Sequence, residues 1–140
     1  MLNLDLHSEF GQRVVQRLRE ERIGWLITVD AQGTPQPKPV WFWWEDDSIL
    51  IYSQPNTAKL RHIGRHPQVA LHLDGDGAGG NIVVVTGAAR IDETAPPADQ
   101  HAAYRQKYTW GFQRLHKTAA EFAQLYSVPI WITALKVRGH

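Results

Sequence analysis

Ser53, Thr57, Lys59 and Arg61 lie close together in the chain and carry two hydroxyls and two cations. Such donors gathered where a helix begins are the chemistry of an anion site, above all of a phosphate. The stretch around them reads as a strand from Ser48 to Gln54, a corner at Pro55-Asn56, and a short helix capped by Asn56 or Thr57. The first N–H groups of that helix have no partners of their own and point beyond the strand end, at the spot the four side chains surround. The same residue types also suit an ordinary solvated helix start. A second candidate group is His62 and His66, four apart on the same helix, with His72 on the strand that follows. Two histidines at that interval can share a metal. Neither a catalytic Glu nor a third ligand at a standard spacing accompanies them, so no metal site is expected. The loop with Gly75, Gly77, Gly79 and Gly80 joins strand to strand, and no helix follows it to hold a nucleotide phosphate.

The elements that must position the first group are legible from periodicity. Ile49, Ile51 and Ser53 alternate with Leu50, Tyr52 and Gln54, so both faces of this strand are apolar until its end. Before it, the chain from Thr34 to Glu45 reads as one strand with Pro35, Pro37 and Pro39 at a spacing of two. Backbone N–H groups alternate sides, so these prolines strip donors from one edge only and leave it open to a loop, a partner or a ligand. Trp41, Phe42, Trp43 and Trp44 place rings on both faces of the same stretch. One face then belongs to the core and the other to a subunit interface or a flat ligand.

Around this centre, Ser8 caps a helix to about Arg22, with Phe10, Val14 and Leu18 in one stripe and Arg13, Arg17 and Arg19 facing water. Strands are expected over Ile23–Val29, from Val69 to Asp74, over Asn81–Asp92 with a bulge at Gly87, and over 130–135. Helices are expected from Pro97 to Tyr108 and from Lys117 or Thr118 to Tyr126. Six strands in short antiparallel connections, with helices after the third and before the last, make an α+β fold built on a small barrel.

Bulk properties narrow the function. A length of 140 residues makes a single domain, residues 1–140. Net charge is +1 without a basic cluster, so neither a nucleic acid nor a membrane surface is an expected partner. With no cysteine, thiol nucleophiles, disulfides and thiolate metal sites are excluded. The N-terminal run has no cationic start and no long apolar segment, so the expected location is the cytoplasm.

Pro39-Val40-Trp41-Phe42, then Ile51-Tyr52-Ser53, then Thr57-x-Lys59, then a helix ending at His66-Pro67 and a strand, come in an order that resembles the pyridoxamine-phosphate-oxidase-like split β-barrel superfamily. The spacing looks most like its small deazaflavin-dependent reductases. Tyr126-Ser127-Val128-Pro129-Ile130 and the closing Val137-Arg138-Gly139-His140 are similar to one subgroup of them. The resemblance implies a six-stranded antiparallel split barrel. It also implies a homodimer with cofactor sites at the interface, and coenzyme F-420, or alternatively FMN, as cofactor. Ser53, Thr57 and Lys59 would hold its phosphate with Arg61 adding charge. Lys38, Pro39, Val40 and Trp41 would lie along its ring, Tyr52 nearby, and Trp131 or Trp110 of a second subunit would complete the pocket. In the oxidase branch an Arg on the second strand binds FMN phosphate, whereas Lys38 is the cation here. The activity implied is hydride transfer to a small electrophilic substrate, with no catalytic side chain identified. A non-catalytic carrier or a haem-binding relative would share the same barrel.

Overall fold

The computed structural model describes residues 2–140. Its elements are α1 (Glu9–Glu20), β1 (Gly24–Val29), β2 (Pro35–Val40), β3 (Trp43–Glu45), β4 (Ser48–Ser53), α2 (Ala58–Arg65), β5 (Gln68–His72), β6 (Val83–Ile91), α3 (Ala102–Arg114), α4 (Ala119–Leu125) and β7 (Val128–Gly139). All strands belong to one antiparallel sheet in the order β2-β1-β5-β6-β7-β4-β3. The α+β split-barrel expectation holds, with seven strands rather than six.

The additional strand comes from a break in the stretch read as one strand from Thr34 to Glu45. β2 pairs with β1 at one edge of the sheet, and β3 pairs with β4 at the other. Only Trp41 and Phe42 connect them, which holds the ends of the two edge strands within about 11 Å of each other. The sheet therefore has to roll until its edges meet, and it meets without a ladder across the seam. A single extended strand could not pair with both edges, so the chain leaves the pleat where it crosses.

Crossing the seam strands the backbone of Phe42, which is fully buried. Helix α3 supplies its partners. The Tyr108 hydroxyl accepts from Phe42 N at 2.8 Å and reaches the Arg22 carbonyl at 2.7 Å. The Lys107 ammonium donates to Phe42 O at 2.9 Å and lies 4.0 Å above the Phe42 ring. A buried polar backbone group left alone would cost about 1–3 kcal/mol, so these two side chains are what makes the split tolerable.

Two apolar clusters follow from the roll. Inside the barrel, Val14 and Leu18 of α1 and Ile63 of α2 pack on Leu26, Ile49, Ile51, Leu71, Val85, Ile130 and Ile132. Outside β4, Leu50 and Tyr52 pack under α3 and α4 with Tyr104, Tyr108, Phe112 and Phe122. Strand β4 is thus covered on both faces, as its alternation requires. Gly87 sits at the register shift of β6 against β7, where an added Cβ would come 2.1 Å from the Thr133 carbonyl oxygen. The shift leaves Leu135 of β7 as the extra residue without a partner on β6.

Three local expectations need correction. Helix α3 starts at Ala102 rather than Pro97, because residues around Pro97 form a turn and His101 is the cap, its Nδ1 accepting from Tyr104 N at 3.1 Å. Arg17 does not face water: it pairs with Glu21 and donates to the carbonyls of Asp74 and Asn81, tying α1 to the glycine loop. The outer rings of the tryptophan run are covered by α3 and α4 of the same chain.

Burial pushes the Lys107 ammonium from its ordinary 10.5 down to about 8. Between those values the unfolded chain holds more protons than the folded one, so stability rises with pH across the window and is lost as pH falls through 8. Tyr104 and Tyr108, pushed upward by burial, oppose this only above about 10. We expect the urea midpoint to rise between about pH 7.5 and 9.5 and that rise to shrink in Lys107→Met. Lys59, also lowered by burial, retains a part of it. An undiminished rise in the variant contradicts this assignment.

Candidate functional site

The corner expected after β4 is formed by Pro55 and by Asn56, which sits at φ +63°. Thr57 is the N-cap of α2, but its side chain does not cap the helix; it lies 3.1 Å from the Ser53 hydroxyl. Ser53 is buried and also donates to the Gln54 carbonyl at 2.8 Å. The hydroxyl pair and the first N–H groups of α2 therefore stand at the strand end with capacity to spare.

Beside them runs a trough made of two clefts of about 320 Å³ each. Lys59 lines both. The polar cleft lies between β2 and α2, with Lys38, Thr57 and Lys59 in its wall together with Thr28, Gln36 and His62. Among the described residues, neither Lys38 nor Lys59 has an ion-pair or hydrogen-bond partner. Burial, and then the charge of Lys38, hold the Lys59 ammonium below its ordinary value. Two uncompensated cations at close quarters favour an anion between them.

The second cleft is aromatic. Pro39, Val40 and Trp41 form its β2 side, and Tyr52, Tyr104, Phe122 and Tyr126 close it from β4, α3 and α4. Trp41 is stacked between Tyr108, at 4.7 Å and 7°, and Phe122, at 5.2 Å and 20°. Gly111 makes this possible, since a Cβ there would meet the Trp41 ring at 2.5 Å. The ring is held on both sides and cannot yield cheaply. Tyr104 is fully buried, and its hydroxyl is one of two buried side-chain polar atoms without a partner among the described residues, the other being Trp110 Nε1. The Tyr52 hydroxyl donates to the Pro96 carbonyl at 2.6 Å, and burial pushes its phenol well above the ordinary range. Tyr52 is thus a packed wall, not a ready acid at neutral pH.

The structure brings Pro39, Val40, Trp41 and Tyr52 to the aromatic cleft and Thr57 and Lys59 to the polar one, with Ser53 behind Thr57. Lys38, expected along the ring, lines the polar cleft instead, because it precedes Pro39 on β2 and stands on the α2 side. Arg61 lies apart: it is exposed, outside the lining of either cleft, and donates to the Asn56 carbonyl at 3.1 Å. Trp110 lies 5.9 Å from Trp41 within the same chain, with the Arg22 guanidinium over its ring, and Trp131 packs in the same cluster. His62, His66 and His72 do not converge; His62 bonds Thr28, and the His72 ring bonds the Leu73 carbonyl. Sequence reasoning missed Tyr104, Phe122 and Tyr126 as cleft residues, and only their aromatic spacing before β7 marked them.

The prolines behave as the spacing requires. Pro35, Pro37 and Pro39 face Val29, Ile27 and Trp25, while Thr34 O accepts from Asp30 N at 3.0 Å in the alternate, bonded positions. The stripped side is the outer edge of β2, exposed from Pro35 to Pro39.

The sequence matches the pyridoxamine 5'-phosphate oxidase family over residues 10–138. No curated protein matches at the sequence level. Among solved structures, a Listeria innocua protein provisionally described as a pyridoxamine 5'-phosphate oxidase is 17% identical, with TM-score 0.69 over 93% of this chain and 97% of that one. An F-420 reductase is 23% identical, with TM-score 0.64 over 88% of this chain and 94% of that one. HutZ, the haem storage protein of Vibrio cholerae, is 16% identical, with TM-score 0.60 over 89% and 91%. At these identities the likeness is one of fold.

Proposed function

The chain belongs to the pyridoxamine 5'-phosphate oxidase family, and we propose that this member is an oxidoreductase that binds coenzyme F-420, or alternatively FMN, in the trough along β2. One observation carries the reading: an anion end with two unpaired ammoniums and an aromatic end share Lys59 and are lined by consecutive residues along β2. A phosphorylated flat heterocycle has the same two halves. The spacing of Pro39–Phe42, Ile51–Ser53 and Thr57-x-Lys59 supports the deazaflavin over FMN, and an F-420 reductase stands among the structural relatives.

Bound there, the coenzyme supplies hydride transfer to a small electrophilic acceptor. The chain's own residues do the rest. Lys38 and Lys59 hold the phosphate, with Thr57 and the α2 N–H groups as neutral donors. Pro39, Val40 and the pinned Trp41 fix one side of the ring, and the walls from α3 and α4 exclude water. The open N–H-stripped edge of β2 gives the ring polar backbone carbonyls without competing donors. The Tyr52 hydroxyl is engaged by the Pro96 carbonyl and its phenol is pushed upward by burial, which favours keeping a second reading, a carrier that binds the coenzyme without turning it over. Consumption of reduced coenzyme with an electrophile separates the two.

We further propose that two copies form a homodimer with the cofactor sites at the interface. The outer side of β2, exposed from Pro35 to Pro39, is then covered by packing of side chains and not by strand pairing, which the prolines prevent. Sedimentation at micromolar concentration should give a dimer; a monomer alone contradicts this.

Titration of the apo protein with F-420 and FMN, followed by the fluorescence of its six tryptophans, tests the main reading. One of the two should bind, and Lys59→Ala should weaken it by roughly 1.5–3 kcal/mol, the size of a charge-assisted hydrogen bond. Unchanged affinity removes Lys59 from the site.

A further inference from the structure

His62 stands on the α2 side of the polar cleft, half-buried, and takes no part in the site as the sequence outlines it. Its Nδ1 is 2.7 Å from the hydroxyl of Thr28, a residue of β1 that is only 2% exposed. That bond crosses from helix to sheet and fixes the plane of the ring. A threonine hydroxyl can accept from Nδ1–H of the charged imidazole, which leaves Nε2–H as a donor with no partner among the described residues. The cleft that His62 lines is the one with Lys38 and Lys59, so a third positive charge is available there.

Resting on the reading of the trough given above, we propose that His62, oriented by Thr28, is a third ligand of the phosphate and makes its binding proton-dependent. The groups facing the imidazole are few. Lys59 on its own helix and Lys38 on β2 are like charges lining the same cleft. Asp30, in the turn after β1, is the opposing charge; its carboxyl is lowered chiefly by the Thr34 N–H and the Gln36 side chain, and in smaller part by His62. His66, the C-cap of α2, is exposed, and its backbone N–H bonds the His62 carbonyl rather than the ring. Ligand binding and proton binding at His62 therefore reinforce one another, and the effect must fade as pH rises past the histidine range.

Two probes separate the phosphate from the ring: FMN against riboflavin, or F-420 against its phosphate-free chromophore, whichever pair the wild-type protein selects. Affinities are measured for wild type, His62→Ala and Thr28→Val at about pH 5.5 and 8.5, a range that spans the ordinary histidine value. The phosphate's own titration cancels in the ratio of wild type to variant. The expected ratio for the phosphorylated probe is about tenfold at the lower pH and only about two- to threefold at the higher, with Thr28→Val showing part of the same loss. At the higher pH the Thr28 hydroxyl donates to Nδ1 of the neutral ring, and Nε2–H remains as an uncharged donor. The phosphate-free probe should show no ratio at either pH. A ratio that does not change with pH overturns the proposal, and so does an equal loss for the phosphate-free probe, which would place His62 in folding or ring packing. Failure of the wild type to bind any of the four probes overturns the trough itself, and this inference with it.

Discussion

The backbone of Phe42 is the point on which the structure turns. A rolled sheet whose edges meet without pairing needs somewhere for the chain to cross, and the crossing residue loses its ladder partners. Here the loss is made good from outside the barrel, by the Tyr108 hydroxyl and the Lys107 ammonium of one helix. Those bonds place α3 against the seam. Because α3 is there, Trp41 has a surface to stack on, and Gly111 allows the contact to be close. The aromatic cleft is therefore a consequence of how the seam is satisfied. It is not a separate invention of the sequence.

The anion end has a different origin. It depends on β4 giving way abruptly to α2, through a left-handed Asn56 and an N-cap whose hydroxyl is turned to Ser53. The two halves are brought into line by β2, which carries Lys38 toward one and Val40-Trp41 toward the other. Lys59 stands where they join. Its partial burial beside Lys38 disfavours the charged ammonium, and an anionic ligand would relieve this.

Much of this was legible in the residues. The two-faced alternation of Ser48–Ser53, the Pro-Asn corner and the proline spacing are local patterns with local causes, and each survives in the fold. Arg61 reads as part of the cluster from spacing alone, yet lies outside both clefts, because a helix separates neighbours in sequence by direction. The break at Trp41-Phe42 could not be read, since an unbroken apolar run is compatible with one strand or two. What decides it is the pairing of β2 and β3 with strands at opposite edges, which is a property of the whole sheet. Tyr104 and Tyr126 escaped for a related reason: α3 and α4 look like ordinary apolar helices until the seam shows which face they cover.

The central claim is that one trough, phosphate at Lys59 and ring beneath α3 and α4, holds a single ligand. A crystal structure with F-420 or FMN bound tests it most directly. The expected result has phosphate oxygens within hydrogen-bond distance of Lys38 and Lys59 and the heterocycle against Pro39, Val40 and Trp41. A cofactor bound on another face, with both clefts vacant, would contradict it.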